Sequence, residues 1–140
     1  MVLIIDEGSD FDAPLEIVWK LVSSEGQHRH DSQPNRKYEP INEVSGHISF
    51  DAMEGGKVVG RHRVKLTRVQ PVGFVMEYVG GSMVGTKLFQ YYVPKGKKTG
   101  VTVVGDATSQ LMHGDQLQKA VLTALEVSYN EDRENLKKMT

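Results

Sequence analysis

From Tyr38 to Gln110 apolar residues recur at every second position, and turn-forming residues break the run about every eight to twelve. Side chains alternate faces along a strand, so this rhythm predicts a series of half-buried strands. The spacing puts them near Tyr38–Ser45, His47–Met53, Val58–Val69, Phe74–Val79, Thr86–Val93 and Val101–Ser109. The breaks fall at Gly46, Gly55-Gly56, Pro71-Val72-Gly73, Gly80-Gly81-Ser82 and Pro94 to Gly100. Connections this short join antiparallel neighbours, so the strands are expected to pair in order as a meander. Such a sheet has a broad apolar face that another element must cover. His113 to Lys138 is the candidate, since it carries neither Pro nor, after Gly114, any Gly. Leu117, Val121, Ala124, Leu125 and Ser128 form one stripe along it, the pattern of a long amphipathic helix. Asp115 near its start and Lys137-Lys138 near its end suit the helix dipole.

Ahead of the meander, Val2 to Ile5 reads as a further strand, after which Gly8-Ser9-Asp10 loosens the chain. The stretch FDAPLEIVWKLVSS then reads as a helix. Pro14 suits its first turn, Ala13 falls at the N-cap, and Glu16 sits near the positive end of the dipole. Ile17 with Leu21 and Val18 with Val22 give an apolar stripe at spacing four. Trp19 lies off the centre of that stripe, which assigns it to packing at the helix edge. Ser23 to Lys37 is polar and holds Gly26 and Pro34, so a short irregular helix or a loop is expected there.

The chain of 140 residues fits one domain spanning 1–140. A formal net charge of −1 supplies no global field for nucleic acid or anionic membrane. The absence of cysteine removes disulfides, thiolate catalysis and Cys-based zinc sites. MVLIID lacks a basic lead and a small-residue cleavage site, and no uncharged run approaches the roughly 18–20 residues of a membrane helix. The expectation is a cytoplasmic protein that does not insert into membranes.

Charged residues assign the wet face of each strand. Glu39 and Glu43, Asp51, Arg61 with Arg63 and Lys65, Glu77, Lys87 and Asp106 then lie outward. Neighbouring strands mostly carry opposite signs, so Arg63 or Lys65 is expected beside Glu77 or Asp51. RHRVKLTR is thereby a balanced sheet face rather than a nucleic-acid patch. In KLFQYYV the residues Phe89, Tyr91 and Val93 fall on the wet parity. Either a bulge shifts the register there or the face is covered, and a homodimer contact is the functional reading. The inner parity holds Phe50, His62, Val64, Leu66, Phe74, Met76, Tyr78, Leu88, Gln90, Tyr92 and Val103. Tyr38, Val44 and Val58 are also assigned inward. Gly105, Ala107, Ala120, Ala124 and Ser128 are small, so sheet and helix approach closely there and a cavity is expected between them. A few polar tips in an apolar cleft are the usual makeup of a small-molecule pocket.

With the Ala-Pro opening of FDAPLEIVWKLVSS, the meander and the closing helix ending SYNEDRENLKKM, the chain resembles the START-like (SRPBCC) superfamily of helix-grip proteins. Pollen allergens, lipid-transfer domains and polyketide cyclases belong to it. The resemblance implies an α+β fold, with a seven-stranded antiparallel curved sheet gripping the C-terminal helix and two short helices after the first strand. It implies binding or processing of hydrophobic small molecules and carries over no catalytic residue.

The ligand-binding candidates are Phe50, His62, Val64, Met76, Tyr78, Gln90, Tyr92, Leu117, Val121 and Ala124. His62 and Tyr92 are the candidates for catalysis, His62 because an imidazole titrates near working pH. GQHRHDSQ offers His28 and His30 with Asp31, but no third strong ligand is near, so it reads as a polar loop rather than a metal site. GGSMVGTK reverses the Lys-Ser/Thr order of a phosphate loop and reads as a hairpin. No cofactor is called for. Binding or transport of a lipid- or polyketide-like molecule is favoured, because the expected interior holds no paired carboxylates and no His–Asp couple. A cyclase or dehydratase and a co-chaperone-like interaction domain are the alternatives.

Overall fold

The computed structural model describes residues 1–24 and 30–139. Its elements in order are β1 (Val2–Phe11), α1 (Leu15–Val22), β2 (Lys37–Pro40), β3 (Ser45–Glu54), β4 (Lys57–Val69), β5 (Gly73–Gly80), β6 (Lys87–Lys95), β7 (Lys98–Ala107) and α2 (Gly114–Met139). The seven strands form one antiparallel sheet in the order β1-β7-β6-β5-β4-β3-β2. The meander pairs in sequence, and β1 closes the sheet against the last strand. Among the described residues one short helix follows β1 where two were expected. Residues 31–35 form turns, and His28 lies outside the described residues. Among the described residues no helix is long and apolar enough to cross a membrane.

Three local readings change. β1 runs through Gly8 to Phe11, because a register shift between Asp6 and Ser9, with Gly8 at φ +91°, absorbs the irregularity without ending the strand. The turn before β3 is made by Asn42, whose side-chain oxygen accepts from the Val44 and Ser45 amides at 2.9 and 2.8 Å. Gly46 is instead within β3, bare because the Tyr38 ring lies where its Cβ would stand. Pro14, not Ala13, is the N-cap of α1, and its carbonyl accepts from Ile17 and Val18.

The outer face follows the charge alternation. Lys65 stands opposite Glu77, Glu77 opposite Lys87, and Lys87 opposite Asp106. Asp51 pairs with Arg61, at 2.8 Å between Oδ1 and Nη1. Phe89 lies in the next row, between Val75 and Val104, and its ring is 5.4 Å from that of Tyr91. Val44 and Val58, assigned inward, are exposed: Val44 belongs to the Asn42 turn, and Val58 to a half of β4 whose residues 57–61 are all exposed.

The inner face packs in two clusters. Leu88, Val103, Ala107 and Ile4 meet Leu117 and Val121 of α2 in one. Phe11, α1, Ile48, Leu66, Phe74, Tyr92 and Leu136 form the other, where Trp19 stacks on Phe74 at 5.2 Å between ring centroids. Trp19 therefore packs, as its place on the helix suggested. α2 is tied to β1 by Gln118, which donates to the Leu3 carbonyl at 3.2 Å, and by Tyr129, which donates to that of Asp10. Gly105 is bare for a different reason from the one expected: at φ +155° its Cβ would strike the Lys87 carbonyl of β6 rather than α2.

Candidate functional site

Between its two apolar ends the inner row of α2 turns polar. Continuing from Leu117 and Val121 through Leu125, steps of three and four residues reach Ser128, Asp132 and Leu136. Ser128 and Asp132 face a cavity of about 100 Å³ between sheet and helix. Its apolar wall is Ile48, Val64, Leu66, Phe74 and Met76 from the sheet, with Val22 of α1. Its polar end is formed by His30, Gln33, Arg36 and Asp132. A void of about 20 Å³ shares Gln90, Ser128 and Asp132 with it. A wider groove of about 710 Å³ lies outside, between β1 and α2, but Asp6, Glu7, Lys119, Glu126 and Arg133 make it charged and open.

Of the ligand-binding candidates, Phe50, Val64, Met76, Tyr78, Gln90 and Tyr92 line the cavity. Leu117 and Val121 are instead buried in the core cluster with Leu88 and Val103, and Ala124 is exposed, because the helix turns that position away from the sheet. His62 does not line the cavity either. Its ring packs between those of Phe50 and Tyr78, at 5.4 and 5.7 Å. Its buried Nδ1 has no hydrogen-bond partner among the described residues, and burial pushes its pKa down. That favours a neutral packing residue over a base. Tyr92 is buried in the wall and accepts a hydrogen bond from Gln90 Nε2 at 2.7 Å. Burial pushes the Tyr78 hydroxyl up.

The couple expected to be missing is present. His30 is buried, with Nδ1 2.9 Å from Glu131 Oε1 and Nε2 3.2 Å from Asp132 Oδ1. Ser32 adds two bonds to Glu131, from its amide and its hydroxyl, both at 2.7 Å. Arg36 Nε donates to Gln33 at 2.8 Å. Burial opposes charge on His30, but its hydrogen bond to Asp132, the Asp132 charge and the Glu131 bond outweigh it and raise its pKa. Burial likewise opposes the Glu131 carboxylate, and the Ser32 and His30 bonds outweigh it and hold that pKa down. The polar segment 30–36 is thus pinned to α2 at the end of the cavity. One signal pointed to this: the helical stripe continued one step from Ser128 to Asp132.

No family model matches the sequence, and no curated protein does. Solved structures match over nearly the whole chain. TTHA0849 from Thermus thermophilus superposes with a TM-score of 0.84 at 13% identity, covering 99% of each chain. The Zhui aromatase/cyclase from Streptomyces sp. R1128 gives 0.73 at 9% identity, covering 98% of this chain and 95% of its own. A START superfamily protein from Mycobacterium smegmatis gives 0.72 at 11%, covering 99% of each. Identities this low speak for the backbone alone, and that backbone is a helix-grip fold.

Proposed function

We propose that this protein binds a hydrophobic small molecule in the cavity between the sheet and α2. The observation that carries the reading is an apolar wall ending in a small cluster of polar groups. Burying about 150 Å² of apolar ligand surface contributes roughly 4 kcal/mol before the costs of association, so a ligand of one ring binds weakly. A lipid- or polyketide-like ligand needs more room than about 100 Å³. Admitting one would displace the 30–36 segment and break the His30 contacts with α2. The test is native mass spectrometry of the protein as purified, followed by displacement of a fluorescent apolar probe. A bound species or displacement supports the reading; neither a bound species nor displacement would sink it.

A second reading, an acid–base enzyme, is favoured by the Asp132 carboxylate lining the cavity with His30 behind it. The aromatase/cyclase among the structural neighbours supports it as a fold-level analogy. In this reading Asp132 would take the proton and His30 would steady the charge. Asp132→Asn would then keep ligand binding and lose turnover, whereas a pure carrier shows no turnover in either form.

A further inference from the structure

Both helices pack on the inner face of the sheet, so neither α1 nor α2 covers the outer one. That outer face nevertheless carries an apolar row, Val104, Phe89 and Val75 on neighbouring strands. Tyr91 lies beside Phe89, and Ile5, Val69 and Val93 around them are 54%, 42% and 43% exposed. A contiguous apolar patch of this kind marks an interaction surface.

The neighbouring row of charges decides the occupant. Across β7, β6, β5 and β4 it reads Asp106, Lys87, Glu77, Lys65, so its signs alternate from negative to positive. Read backwards, such a row is its own complement. A two-fold axis in the interface, parallel to the strands and midway between β5 and β6, lays one copy's row on another's in reverse. Lys87 then meets Glu77 of the second copy, Asp106 meets its Lys65, and each contact occurs twice. The same axis sets Phe89 on Val75 of the second copy, and Tyr91 on its Gly73, which has no side chain in the way. An axis along the row would instead set every charge on its like. A nucleic acid or an anionic membrane, having one sign, would meet as many repulsions as attractions. The axis brings β1, β7 and β6 over β3, β4 and β5 of the second copy. Strands about 4.8 Å apart and three rows about 7 Å apart then span roughly 600 Å² on each copy, the low end for a specific interface.

We propose that the outer face pairs two copies of this chain in a weak dimer, with Lys87 against Glu77, Asp106 against Lys65 and Phe89 against Val75. The charges fix the register, and the apolar row supplies the affinity. This inference is independent of the cavity reading.

The test is sedimentation equilibrium at low salt, over protein concentrations reaching about 0.5 mM. The wild type is expected to pass from monomer toward dimer as concentration rises. Lys87→Glu alone and Glu77→Lys alone are each expected to weaken association at least about tenfold, because like charges then meet across the axis. Mixed in equal amounts, the two variants are expected to associate again, since every contact between those positions then joins opposite signs. A wild type that stays monomeric throughout overturns the inference. Variants that each associate as the wild type does overturn the choice of face. A mixture no more associated than its components overturns the two-fold arrangement. If a variant fails to fold, the wild type decides through its methyl resonances. Those of Val75 and Val104 are expected to shift with protein concentration while those of Val64 and Leu66 stay still, and the reverse overturns the inference.

Discussion

Opposed charges occur twice in this molecule, on the outer face of the sheet and at the inner end of the cavity, under different physics. On the outside, Lys65, Glu77, Lys87 and Asp106 alternate across neighbouring strands, with Lys87 and Asp106 exposed. Water screens such pairs, and each contributes a few tenths to about 1 kcal/mol. Inside, His30, Glu131 and Asp132 join segments about a hundred residues apart, and His30 and Asp132 are almost wholly shielded. There the desolvation penalty of each ion is already incurred, so removing one partner strands the other. The outer set selects strand pairing; the inner set holds a segment in place over a cavity.

The sharpest way to break this contrast is His30→Ala, which removes the imidazole that meets both Glu131 and Asp132. It is expected to lower stability by about 3 kcal/mol in urea unfolding. A loss below about 1 kcal/mol would put the cavity end on the same footing as the surface.

Acidity sharpens it next. The folded pKa of His30 is raised, so its contribution is fully present below the ordinary histidine value of about 6.5 and disappears as pH rises through the folded value. That of Glu131 is lowered, so its contribution is present above the ordinary value of about 4.3 and is lost as pH falls through the folded one. Arg36 faces the same cluster. The stability gap between wild type and His30→Gln is therefore expected to be widest between those values and to narrow toward pH 9. A gap that widens with alkali would mean His30 is neutral when folded.

The smallest effect belongs outside. Lys87→Gln removes the charge facing both Glu77 and Asp106. It is expected to cost about 0.5 kcal/mol at low salt and almost nothing in 1 M salt. A salt-insensitive loss of 2 kcal/mol would show that the outer row is shielded by something.

The same contrast explains what the sequence made legible. The outer row repeats every second residue and pairs neighbours in the meander, so parity alone foretold that Lys65 stands by Glu77. The elements and their order followed from the same local periods. Glycine was harder, because one residue type answers to several causes. Gly81, at φ +92°, does turn the chain, whereas Gly46 and Gly105 make room for the Tyr38 ring and the Lys87 carbonyl. The apolar cavity wall was legible from strand parity in Phe50, Val64 and Met76. Ala124 was misplaced because an alanine marks neither a buried nor a wet face, and His62 because parity gives a face but not a neighbour. The His30 cluster was half legible: the α2 stripe continued to Asp132, but no local pattern pairs that end of the helix with a residue about a hundred positions earlier.

The central claim is that the inner face, and not the outer one, receives a small apolar molecule. Its most direct test is a titration with toluene followed by the side-chain methyl resonances. Those of Val64, Leu66 and Met76, which line the cavity, are expected to move and saturate. Those of Val75 and Val104, in the outer row beside Phe89, are expected to stay still. Shifts confined to Val75 and Val104, or no saturable shift at Val64, Leu66 and Met76, would contradict the account.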